Sequence, residues 1–193
     1  MCRLHAFILT TAFAAVIAQG ATPAPGSTFT TKDGSVSFWT PSLPKKSVDV
    51  IDGEVGDHRR TLYTVSGPSY MILVSVLETS GVPTTGDEEH FLGPMVDDLR
   101  NGLGASFVLD KEGGRTDLKL DPGGLKGVQL LGTVDLVRFR ARAYIGACRL
   151  YLFQITHAVG DKVAEQLGER LFSSATITDP VTRQCIVNAE APV

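Results

Sequence analysis

Three long stretches of strand-forming sequence, Leu125–Val134, Leu136–Tyr144 and Arg149–His157, follow one another with almost nothing between them. No other feature constrains the fold as strongly. Parallel neighbours need a crossover of about a dozen residues or more, so connections this short force antiparallel pairing. Gly146-Ala147 suits a two-residue hairpin turn with Gly at the first central position. Earlier strands are expected at Val36–Trp39, Ser47–Ile51, Arg59–Val65 and Tyr70–Leu77. The last of these is apolar almost throughout, as in a central strand covered on both faces. Ser106–Asp110 lies between turns, and Ser174–Thr178 reads as a final strand.

Two segments carry the helical period instead. Thr85-Gly86-Asp87-Glu88 has the form of a capping box. Phe91, Met95, Leu99 and Leu103 then recur every four residues, with Leu92 and Val96 widening the stripe. Pro94 is expected to kink or split this helix, because it removes a hydrogen bond and crowds the preceding turn. A second helix is expected after Asp161, with Val163, Leu167 and Leu171 facing inward. The fold class is therefore α+β: a mostly antiparallel sheet with one helix packed on each face.

The chain begins Met1-Cys2-Arg3-Leu4-His5, continues through an apolar run from Ala6 to Ile17, and reaches Ala18-Gln19-Gly20. A charged start, a short apolar run and a small-x-small end form the pattern of a cleavable export signal over residues 1–20. The run is shorter than the ~20 apolar residues that cross a membrane. Residues 21–34 are small, polar and proline-bearing, so a flexible linker is expected there, then a domain over 35–179 and a loose tail over 180–193. The net charge of −3 disfavours nucleic acid, which needs a basic face. In an oxidising compartment Cys148 and Cys185 can pair, or they can remain separate thiols.

The order of motifs resembles a known group. Phe38-Trp39-Thr40-Pro41-Ser42-Leu43-Pro44 gives an early Phe-x-x-Pro-x-x-Pro run. Gly124 to Gly127, a basic strand, Arg149-Leu150-Tyr151, and a helix ending in Leu171-Phe172-Ser173-Ser174 follow in turn. Over residues 35–178 this resembles the exported PsbP-like domains, whose relatives include the lumenal extrinsic subunit of photosystem II and a small Ran-binding import factor. The resemblance implies an α/β/α sandwich and an accessory or binding role. It assigns no functional residue.

The most distinctive local pattern is Arg138-x-Arg140-x-Arg142. Alternation puts the three guanidinium groups on one face of their strand. With Gly146-Ala147 as the turn, Arg142 is expected opposite Tyr151, Arg140 opposite Phe153 and Arg138 opposite Ile155. That makes a basic ladder beside aromatic rings, able to take an anion or a partner protein, or else a solvated face whose arginines pair with acids of the second helix. Asp87, Glu88, Glu89 and His90 gather possible metal ligands in one turn, but acids there are expected from the helix dipole alone, and no metal site is assigned. His58 and His157 are the candidate general bases, and neither comes with a recognisable nucleophile. The sequence thus favours a non-enzymatic binding or accessory protein of the bacterial cell envelope, secreted or periplasmic, without a cofactor. A small exported enzyme built around His157 or His58 is the alternative.

Overall fold

The computed structural model describes residues 26–51, 58–78, 88–120, 124–146 and 148–178. The side chains of residues 88–92, 94, 95 and 98 are not among those described. The elements run β1 (Ser27–Thr30), β2 (Val36–Thr40), β3 (Lys45–Ile51), β4 (His58–Ser66), β5 (Tyr70–Glu78), α1 (Glu88–Leu103), β6 (Phe107–Leu109), β7 (Arg115–Leu120), β8 (Leu125–Val134), β9 (Val137–Ile145), β10 (Arg149–Ala158), α2 (Lys162–Ser174) and β11 (Thr176–Ile177).

The main sheet has the order β3-β4-β5-β10-β9-β8-β6, with β7 also paired to β8. Every pairing in it is antiparallel. The near-continuous apolar strand β5 lies inside the sheet between β4 and β10, as its composition requires. The hairpin β8–β9 closes through Asp135, whose φ of 51° is one that a short polar side chain tolerates. A separate small sheet joins β2 to β1 on one side and β11 on the other.

Alternation along the strands divides the core in two. From β10, Tyr151, Phe153 and Ile155 join Leu167, Leu171 and Phe172 of α2 and Val36 and Phe38 of β2. From β9, Phe139, Ala141 and Ala143 join Val96 and Leu99 of α1, with Leu150 of β10. Arg138, Arg140 and Arg142 occupy the positions of β9 between those core residues.

Four departures from the sequence expectations have physical reasons. Residues 27–30, inside the stretch expected as linker, form β1, because Phe29 pairs with Phe38 and its ring packs 5.4 Å from it. Strand β7 is missed by periodicity, since Arg115–Leu120 is largely exposed and carries little apolar signal. Helix α1 runs unbroken through Pro94 as a 16-residue element, so of the two expected effects of Pro94, a kink or a split, the split does not occur. Val163 is exposed at the start of α2, while Leu167 and Leu171 are buried as expected. The Thr85–Asp87 part of the expected capping box lies outside the described residues, as does the tail from 179 onward.

Candidate functional site

The arginine ladder is built as alternation predicts, but its neighbours differ. Gly146 donates to the Arg149 carbonyl at 2.8 Å, so the β9–β10 ladder closes at that pair. The expected turn sat one residue earlier. Moving a turn by one residue moves every cross-strand partner by two, which preserves the face and changes the neighbour. Arg142 therefore lies opposite Phe153, Arg140 opposite Ile155 and Arg138 opposite His157, while Tyr151 faces Tyr144.

Tyr151 and Phe153 do not form an exposed aromatic rim. They are 1% and 0% exposed, within the core cluster under α2. The aromatic that meets the ladder is Phe172 of α2: the Arg140 and Arg142 guanidinium carbons stand 4.6 Å and 5.0 Å from its ring centroid. Sequence reasoning counted partners along the sheet, whereas this one comes from the helix packed above it.

The three arginines are compensated unequally. Arg138 forms a two-point ion pair with Asp110, which follows β6. Hydrogen bonding and charge from Arg138 hold the Asp110 carboxyl below its usual range. Arg140 pairs with Glu169 of α2 and reaches the Gln129 side-chain oxygen through two weaker bonds. Arg142 donates to Gln129 Oε1 at 2.9 Å and to the Phe172 carbonyl at 3.3 Å. Among the described residues Arg142 is the one member of the ladder with no carboxylate partner.

The two histidines lie at opposite ends of the sheet. His157 faces Tyr70 at the start of β5, whereas Arg59, next to His58, faces Glu78 at its end. Those β5 positions are roughly 26 Å apart at ~3.3 Å per residue. They do not come together in one site. His157 is buried, with Nδ1 2.9 Å from the Ala158 carbonyl. The nearby Asp161 is engaged as the α2 cap: its carboxylate accepts from the Ala164 amide at 3.0 Å and from the Ser69 hydroxyl. Burial would raise the Asp161 carboxyl, but those bonds outweigh it and hold the group below its ordinary range. His58 is also buried, and its Nδ1 has no hydrogen-bond partner among the described residues.

A second charged cluster escaped sequence reasoning. Arg149, buried at the start of β10, donates to Asp33 at 2.8 Å and to Glu78 at 2.8 Å. Asp33 also accepts from Thr31 Oγ1, the Ser35 amide and Ser35 Oγ. Burial pushes the Asp33 carboxyl up, yet these donors bring it far below the usual carboxylate range. Asp33 sits in the stretch read as linker, and Arg149 figured only in a strand motif. Nothing local in the sequence couples them.

Asp87 of the acidic turn lies outside the described residues, as do the side chains of Glu88, Glu89 and His90. Among the described side chains no cluster of three or more His, Cys, Asp or Glu residues could hold a metal ion. Cys148 is half-buried beside the β9–β10 turn, and Cys185 falls outside the described residues. No described helix is long and apolar enough to cross a membrane.

Set against solved structures, the chain is similar to cyanobacterial PsbP from Synechocystis sp. PCC 6803, known from a solution structure. The match has 13% sequence identity and a TM-score of 0.48, and covers 83% of this chain and 96% of the other. No family model and no curated protein matches the chain.

Proposed function

We propose that the protein is an exported binding or accessory protein of the bacterial cell envelope, working by docking a partner rather than by catalysis. The observation that carries this reading is the unequal compensation of the β9 ladder. Arg138 and Arg140 have carboxylate partners in the fold, while Arg142 holds its guanidinium over Phe172 with only neutral acceptors among the described residues. A carboxylate or other anion of a partner can complete Arg142 with a charge-assisted bond, while Arg140 and Phe172 flank it. The α/β/α sandwich, one helix per face, supplies the rigid support for such a strip. The N-terminal pattern supports export, and with it a Cys148–Cys185 disulfide fastening the tail to the β9–β10 turn. Residues 180–193 then act as a tail beside the domain.

The test is co-purification from envelope extract, read by mass spectrometry, with wild type, Arg142→Gln and a Lys162→Gln control. Partners retained by wild type and the control but lost from Arg142→Gln, at an unchanged melting temperature, are expected. Equal retention by all three overturns the assignment to this strip.

A further inference from the structure

Open sheets end in strands with unpaired backbone groups, and proteins blunt such edges with short strands, charges, bulges or covers. Most edges here are blunted by length: β1 has four residues, β6 three and β11 two. Strand β3 is not. It ends the main sheet, pairs with β4 along seven residues, and its outer side carries no other described strand. Val48 and Val50 are 44% and 62% exposed on the face they share. Its only acid, Asp49, is bound by Arg60 yet stays 41% exposed at the side chain.

We infer that the β3 edge is a self-association surface, on which a second copy of this chain pairs its own β3 antiparallel about a two-fold axis through Ser47. The sequence of β3 selects that register. Lys45, Ser47 and Asp49 alternate onto one face. Centred on Ser47, the pairing sets Lys45 of each copy opposite Asp49 of the other, giving two symmetric ion pairs. It also sets Lys46 opposite Val48, so the valine packs against a lysine stem. Centring on Val48 leaves Lys45 opposite Ile51 and Lys46 opposite Val50, with no ion pair. Centring on Asp49 sets the two carboxylates against each other, which is destabilising. The two main sheets become continuous across the axis. A single strand pair is a small interface, so the dimer dissociates readily on dilution.

Sedimentation velocity of the purified protein over a wide concentration range is the first measurement, with a monomer–dimer equilibrium expected. Lys45→Glu replaces two attractions by two repulsions and should weaken association at least about tenfold, with little effect on melting. Ser47→Cys places two thiols on the axis, with Cα atoms about 5 Å apart, within disulfide reach. It should give a covalent dimer on mild oxidation beyond any seen for wild type. Val50→Cys, about 20 Å from its own copy in this register at ~3.4 Å per residue, should not. A monomer at every concentration overturns the inference. So does a dimer indifferent to Lys45→Glu, or Val50→Cys cross-linking as readily as Ser47→Cys.

Discussion

Arg149 and Asp33, 116 positions apart, meet at 2.8 Å, and this pair fastens the β1–β2 turn to the start of β10. The guanidinium is buried and also held by Glu78 of β5, so three separate segments converge on one cation. Removing one partner of a buried pair costs more than the pair contributes, because the survivor keeps its desolvation without its bond.

Arg149→Gln should therefore destabilise the fold by about 1–3 kcal/mol, below the fully buried limit because both carboxylates are partly hydrated. Urea unfolding at neutral pH gives the value. A change below about half a kcal/mol would show that the cluster contributes little.

The same cluster fixes a pH dependence. The Asp33 carboxyl is held below its unfolded value, so its stabilisation is complete above the unfolded pKa of about 4. It is lost progressively as pH falls from there toward the folded pKa. Asp33→Asn should then be less stable than wild type at pH 7, and the gap should narrow steadily below pH about 4. Parallel unfolding midpoints for the two proteins, taken from pH 7 downward, check this. A gap constant with pH would count against it.

Helix α2 depends on its cap. The Asp161 carboxylate accepts from the Ala164 amide and from Ser69, joining the helix start to the turn before β5. Asp161→Ala should cost about 0.5–2 kcal/mol, and Asp161→Asn distinctly less, since Asn caps nearly as well. Thermal melts of both variants separate loss of the cap from loss of charge.

Gly127 of β8 tests a close approach. A Cβ there would lie 2.4 Å from the Ala143 carbonyl oxygen and 2.4 Å from the Tyr144 ring. The backbone oxygen belongs to the paired strand and cannot swing aside, so Gly127→Ala should destabilise by about 1–3 kcal/mol. Gly93 of α1, where an added Cβ meets nothing within 4 Å among the described residues, is the control, and Ala there should be neutral or better.

The disulfide in the proposed function is checked by mass. Alkylation without reductant should leave Cys148 and Cys185 unmodified, and prior reduction should expose both. Two alkylated thiols without reductant would end that part of the proposal.

Periodicity made most of the main sheet legible, because a strand that buries one face must alternate and one that buries both, like β5, must run apolar throughout. It could not reveal β7, which is mostly solvent-facing, or β1, whose single large apolar residue, Phe29, gives no period. The ladder Arg138, Arg140 and Arg142 was legible because alternation is local. Its partners were not, because they depend on one turn residue and on helix α2 packing across the sheet. The Arg149–Asp33–Glu78 cluster was invisible for the same reason: three ordinary charges acquire meaning only when the chain returns on itself.

Strand β2 lies between β1 and β11, the first and last of the described strands, with Ser37 opposite both Thr30 and Thr176. Its second neighbour is therefore among the last parts of the domain to be synthesised. While translation is under way, one side of Val36–Thr40 has nothing to pair with, and α2, which shields the same apolar cluster, is missing too. Closure of the small sheet must be a late event joining distant parts of the chain, which makes it slow. A nascent chain of this topology keeps the apolar face of Val36–Thr40 open until its C-terminal third is made.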